Sequence, residues 1–304
     1  MRKLGPVSVG TAPLAAMAVR TTVFALFVMA WGPSDPTALV WAAYDDVRLI
    51  AFQGTTSAAA QRDAVRGIPL ERLGAADRDK VESVLANVSL FRRMPVRRIE
   101  CEPELCLFLV RHPDVVVNIW ELMRVSELQM EQIGARRFRI TEADGTVADA
   151  EVLYSSRDTH LVYADGVYHG PLFGRAIRGR GVLVLKTGYS RDSEGRAHVT
   201  CCLDSFVSIE PIAVELATKT IQPILGRTAD NNFVQTMGFV ASLSRTIGVN
   251  SRGVQRMAGR LEHVSPQVRR QFASLAAYLG QRATAGDVPL REEVAERPVD
   301  GIQR

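Results

Sequence analysis

Between Ser126 and Glu210 the chain repeats one local pattern. Strand-length segments of alternating or short apolar runs are separated by turn residues. The segments are SELQMEQI (126–133), ARRFRIT (135–141), TVADAEVLY (146–154), DTHLVYADGVYHG (158–170), GRGVLVLKTGYS (179–190) and RAHVTCCLDSFVSIE (196–210). Leu128 with Met130, and Phe138 with Ile140, fall two apart, which puts each pair on one strand face. Gly145 after Ala143-Asp144, Asp165-Gly166, and the run Arg191 to Gly195 read as hairpin turns. A run of consecutive hairpins restricts this region to an antiparallel sheet.

The flanks change period. VRRIEC (96–101) reads as a short strand. Pro103 opens a helix through PELCLFLVR, and Pro113 opens another through PDVVVNIWELM, because proline is accepted at the first helical position. His112-Pro113-Asp114 is then simply the joint between them. After Pro211 the pattern is helical: PIAVELATKTIQPILG, then a longer helix with Phe233, Met237, Val240, Ser244 and Ile247 in line. Gly248 and Asn250 end that helix. GVQRMAGRLEHV and a helix opened by Ser265-Pro266 follow, the latter with Val268, Phe272, Leu275, Ala276 and Leu279 on one side. Upstream, residues 75–87 form a charged helix with Val81, Val84 and Leu85 together. Residues 52–66, small and polar without an apolar period, read as a linker.

The first residues read as a secretory leader. Arg2, Lys3 and Arg20 precede an apolar core at Thr22–Trp31, Gly32 to Pro36 breaks it, and Val40-Trp41-Ala42 offers a cleavage site. Met17 is an alternative start. The core is about half the ~20 residues that a bilayer span needs. The expected location is therefore periplasmic or extracellular. The expected organisation is a signal peptide (1–42), a linker and N-terminal helix (43–94), a sheet domain (95–248), a helical extension (249–283) and a charged, Pro-punctuated tail (284–304).

Export bears on the cysteines Cys101, Cys106, Cys201 and Cys202. An oxidising compartment permits disulfides among them, and buried free thiols are the other reading. Their spacing matches no zinc pattern. The histidines include no i,i+4 pair and no H-x-H, and neither a G-x-S-x-G elbow nor a phosphate-binding glycine loop occurs. No cofactor or metal is implied. A net charge of +4 without an aromatic-interleaved basic run gives no reason to expect a nucleic-acid partner. Asp204 in mid-strand and the pair Asp158/His160 could supply acid–base chemistry, or could be solvated surface groups. Arg175, Arg178 and Arg180 could receive an anionic headgroup or a membrane surface, or could guard a sheet edge.

The order strand, two short helices, about six antiparallel strands, long helix resembles the START and polyketide-cyclase-like (helix-grip, SRPBCC) superfamily over residues 96–248. The resemblance is carried by PELCLFLVRHPDVVVNIWELM, by the hairpins at Asp165-Gly166 and Glu194-Gly195, and by ADNNFVQTMGFVASLSRTI as the gripping helix. It implies an α+β fold in which a curved antiparallel sheet of six to seven strands wraps a long C-terminal helix. Two further helices depart from the usual plan. The resemblance also implies an apolar cavity between sheet and helix for a lipid-like small molecule. Trp120, Tyr163, Tyr168, Phe173, Phe206, Phe233 and Met237 are the residues expected to line it. The expected role is thus an exported carrier of an apolar ligand. An envelope assembly protein, or a cyclase or hydrolase on the same scaffold, are the alternatives.

Overall fold

The computed structural model describes residues 53–143, 145–169, 176–209 and 222–285, with the backbone alone for 222–225. The leader, residues 211–221 of the helix expected over 211–226, Phe173 and nearly all of the C-terminal tail lie outside these residues; the expected stop at Pro223 and Gly226 does not occur, because a single helix runs from Gln222 through both. In chain order the described elements are α1 (Ala58–Arg66), a 3₁₀ turn (Leu70–Arg72), α2 (Ala75–Leu85), β1 (Leu90–Arg93), β2 (Arg97–Glu100), α3 (Pro103–Arg111), α4 (Pro113–Leu122), β3 (Gln129–Gly134), β4 (Arg137–Glu142), β5 (Thr146–Ser155), β6 (Thr159–Tyr168), β7 (Ile177–Arg191), β8 (Ala197–Ile209), α5 (Gln222–Ala258) and α6 (Pro266–Thr284). The architecture is α+β, with the long helix α5 on one face of an open antiparallel sheet in a helix-grip-like layout.

The eight strands are ordered β1-β8-β7-β6-β5-β4-β3, and β2 also pairs with β8. β1 and β2 run along the same neighbour, opposite residues 204–207 and 198–201. Pro95 separates them, since it cannot donate to the ladder. The β7–β8 hairpin is closed by Asp192, whose carboxylate accepts the amides of Glu194 and Arg196 at 2.9 Å. Gly195 takes φ 80° there, a conformation open to glycine.

Asp165-Gly166 is not a turn. β6 passes straight through it, with Asp165 opposite Asp149 on β5 and Arg180 on β7. The turn that precedes β6 is at Ser156–Asp158, where Ser156 Oγ donates to Asp158 Oδ1 at 2.7 Å. Gly166 has a different reason to be glycine. A Cβ there would lie 2.7 Å from the Cβ of Ala148 on the adjacent strand.

The sheet is covered on both faces. On the front, α3, α4 and α5 pack on the sheet and α6 packs on α5, burying Trp120, Phe233, Val240, Ile247 and Phe272 in one core. On the back, α1 and α2 bury Ala64, Val81 and Val84 against Leu161, Val182, Val184 and Phe206. Residues 58–66, which read as linker, are therefore a helix. Ser57 caps it by accepting the Ala60 amide at 3.2 Å. A nine-residue helix with only Ala64 buried carries too little apolar period to stand out in sequence. The edge strand β1 ties both layers together. Arg92 reaches forward to Asp230 on α5, and Arg93 reaches back to Asp204 on β8 and Asp63 on α1.

Helix α5 is broken where Gly248 and Asn250 were expected to end it. It changes direction at Asn250 (φ −147°, ψ 53°) and continues to Ala258. The Asn250 side chain accepts the Gly253 amide at 3.0 Å, so it caps the second segment while interrupting the first. α6 starts where Ser265-Pro266 places it, with Ser265 Oγ accepting the Val268 amide at 3.3 Å. Among the described residues no helix is long and apolar enough to cross a membrane.

A candidate ligand cavity between the sheet and helix α5

Helix α5 crosses the front of β7 and β8, whose inward residues there are Leu183, Leu185, Cys201 and Leu203. These alternate with Val182, Val184, Cys202 and Asp204, which belong to the other face. α5 presents Phe233, Thr236, Met237 and Val240. Cys106, Leu109 and Val110 from α3, with Val116 from α4, complete the wall. Together they line a cavity of about 70 Å³.

The wall is almost entirely hydrocarbon and sulfur. Its hydroxyl, Thr236 Oγ1, donates to the carbonyl of Asn232 at 2.8 Å. A buried water needs two to four polar partners, and this wall does not offer them. The cavity therefore favours an apolar occupant. Its volume is about half of the roughly 150 Å³ that holds benzene in an engineered cavity. In this form it accepts the end of a chain or a very small molecule.

Of the seven residues expected to line a cavity, Phe233 and Met237 do so. Trp120 and Tyr168 are buried in the same front core but off the wall. Trp120 packs edge-on against Phe239 of α5 at 5.6 Å. Phe206 and Tyr163 point the other way. Phe206 packs tilted against Phe91 with ring centroids 5.1 Å apart, and Phe206 and Tyr163 both belong with the back-face cluster under α1 and α2. Phe173 lies outside the described residues. β6 and β8 are apolar on both faces, so alternation along them does not say which face holds the cavity.

The four cysteines are free thiols, and Cys101, Cys106 and Cys201 are buried. Two of them, Cys106 and Cys201, are on the cavity wall. Interaction of its S–H with Cys106 and the loss of solvent push the Cys201 thiol well up, so it stays protonated. Burial does the same to Cys101. Cys202, half-buried on the opposite face, sits across from Lys186. Among the described residues no cluster of three or more histidine, cysteine or acidic side chains is placed to hold a metal.

The other candidate groups fall elsewhere. Asp204 is fully buried, but on the back face, where Arg93 donates to it at 2.6 and 2.9 Å. It is a structural ion pair rather than a cavity base. Asp158 is exposed at the β5–β6 turn. His160 is buried on the front face, with Nδ1 2.9 Å from Ser155 Oγ, and the two do not form a dyad. Burial, helped by the Arg111 charge, lowers His160 to about 4, so it is neutral at physiological pH. Arg178 forks onto Asp165 at 3.0 Å, an exposed cross-strand pair. Arg175 is outside the described residues.

Sequence reasoning missed one group. Asp114, in the first turn of α4, is fully buried, and neither carboxyl oxygen reaches hydrogen-bond geometry with a donor. Burial raises it to about 6, although its own amide and that of Val115 hold it partly down. Nothing in the local sequence signals this, since Asp in a first helical turn is normally exposed.

No family model matches the chain, and no curated protein matches it. Several solved structures resemble it in part. A conserved protein from Geobacillus kaustophilus aligns at 11% identity and a TM-score of 0.38, covering 50% of this chain and 93% of its own. Dicamba monooxygenase bound to dicamba aligns at 13% identity and a TM-score of 0.33, covering 72% of this chain and 64% of its own. A truncated norcoclaurine synthase from Thalictrum flavum aligns at 11% identity and a TM-score of 0.28, covering 48% and 94%.

Proposed function

We propose that this is an exported protein of the START-like class that binds or carries an apolar, lipid-like ligand in the cavity between α5 and the β7–β8 hairpin. One observation carries the reading: a concave, partly open wall of leucine, valine, phenylalanine, methionine and thiol groups whose hydroxyl is already committed to a backbone carbonyl. Concave apolar pockets of this kind are the usual ligand sites. The leader pattern supports export, and the strand and helix layout supports the class. At about 70 Å³ the cavity takes only part of a lipid, so a larger ligand requires α5 or α3 to move outward.

The same small volume favours a second reading, in which the void is imperfect packing and the protein serves in envelope assembly without a ligand. A cyclase or hydrolase has less support. The wall offers no carboxylate or imidazole, and Cys201 is held protonated.

Native mass spectrometry separates the two readings. Protein made in an exporting host should carry an apolar adduct. Val240→Phe, which fills the cavity from α5, should lose that adduct while remaining folded. Wild-type protein at its bare mass, with no uptake of added decanol, would leave the assembly reading.

A further inference from the structure

Three buried thiols meet on the front of the molecule, at the joint between β2, α3 and β8. Cys201 is on the front face of β8, and Cys106 sits one turn into α3 directly over it. Both contribute to the same cavity wall, where α3 packs on β8. Cys101, at the end of β2, has other partners. Its thiol donates to the Glu102 carbonyl at 3.4 Å and lies in hydrogen-bond contact with Ser244 of α5. Cys202 cannot join them. Strand alternation puts its side chain on the back face, opposite Lys186.

We propose that Cys106 and Cys201 are a disulfide-forming pair, and that the chain oxidised by a small-molecule disulfide carries one bridge between them, pinning α3 to β8, with Cys101 and Cys202 left free. The two thiols border one small cavity, and closure needs the sulfurs to approach to about 2.05 Å. The chemistry is thiol–disulfide exchange with an oxidant such as glutathione disulfide. The thiolate of one cysteine attacks a glutathione sulfur, releasing one glutathione and leaving a mixed disulfide. The second thiolate attacks the protein sulfur, forms the Cys106–Cys201 bond and releases the second glutathione. The two protons lost by the cysteines end on the two glutathiones.

The geometry also sets when this happens. Glutathione is far larger than the cavity, and exchange requires a thiolate, which burial of Cys201 suppresses. Exchange with glutathione therefore needs α3 to lift from the sheet, its return over Cys201 selects this pair, and the closed core then protects the bridge from reduction.

Peptide mapping tests the pairing without reference to any ligand. The full chain is refolded from denaturant in a glutathione buffer rich in the disulfide, quenched with iodoacetamide and digested without reduction. The expected result is a peptide linking Cys106 to Cys201, with Cys101 and Cys202 alkylated. Cys101→Ser should retain that link. Alkylation of both Cys106 and Cys201, or a bridge from either of them to Cys101 or Cys202, would overturn the proposal.

Discussion

Arg93 and Asp204 face each other across the β1–β8 ladder, and the guanidinium donates two hydrogen bonds, of 2.6 and 2.9 Å, to a carboxylate with no solvent exposure. The same guanidinium reaches Asp63 on α1 at 3.0 Å, so a single side chain on an edge strand joins a buried charge to the outer helix layer. The hydrogen bonds it donates to Asp204 hold Arg93 still more firmly protonated than an ordinary arginine.

Removing one partner of a buried pair leaves the other charge uncompensated. Arg93→Ala should therefore lower unfolding free energy by about 3–5 kcal/mol, measured by urea denaturation at pH 7. Asp63→Ala, at the solvated end of the same chain of charges, should have little effect. Equal losses from the two variants would show that Asp204 does not depend on Arg93.

Asp114 gives the protein a pH-dependent weakness. Its folded pKa, about 6, is above the ordinary 3.8, so the folded state binds more protons than the unfolded state between those values. Stability from this group is complete below pH 3.8 and declines as pH rises to about 6, by up to roughly 3 kcal/mol. Asp114→Asn resembles the protonated acid and should raise the melting temperature at pH 7 but not at pH 4. A variant no more stable than wild type at pH 7 would show that the carboxylate has a donor.

His160 acts in the opposite direction. Its folded pKa, about 4, is below the ordinary 6.5, so the unfolded state takes up the proton first. Stability from this group is full above pH 6.5 and is lost as pH falls toward 4, again by about 3 kcal/mol. His160→Asn, which can keep the contact with Ser155, should flatten the acid limb of a melting-temperature profile between pH 6.5 and 4. An unchanged limb would place the histidine in contact with water.

Gly166 is constrained by its neighbour rather than by its own backbone. A methyl group there meets the Ala148 Cβ at 2.7 Å and the Val147 carbonyl at 3.1 Å. Gly166→Ala should force β5 and β6 apart and cost about 1–3 kcal/mol in thermal or urea unfolding. A neutral or stabilising result would show that the ladder yields at this position.

These sites also mark how far sequence reading reaches. Features set by adjacent residues were legible: the Ser265-Pro266 start of α6, the prolines opening α3 and α4, and the Asp192–Gly195 turn. So were the one-sided strands, where Leu128, Met130, Phe138 and Ile140 are all buried. What depended on distant partners was not. Asp165-Gly166 carries turn chemistry, yet its glycine answers to Ala148 on another strand. Phe206 and Tyr163 were assigned to the cavity because β6 and β8 are apolar on both faces, as strands become when helices cover both sides of a sheet. The covering helix α1 lies where the sequence suggested a linker, and α2, although expected as a helix, carried no sign that it covers the sheet, so the second face went unrecognised. Phe233 and Met237 were found because the stripe on α5 has a single apolar side.

The central claim is that the space between α5 and the β7–β8 hairpin receives an apolar molecule. Methionine methyl groups report on it directly, because Met237 is on the cavity wall while Met130 is buried on β3, away from it. The measurement is a titration of ¹³C-methyl-methionine protein with decanol, followed by ¹H–¹³C correlation spectra. Binding in the cavity predicts a saturable shift of the Met237 signal, an unmoved Met130 signal, and loss of both the shift and the saturation in Val240→Phe. A Met237 signal that stays fixed up to the solubility limit of decanol would contradict it.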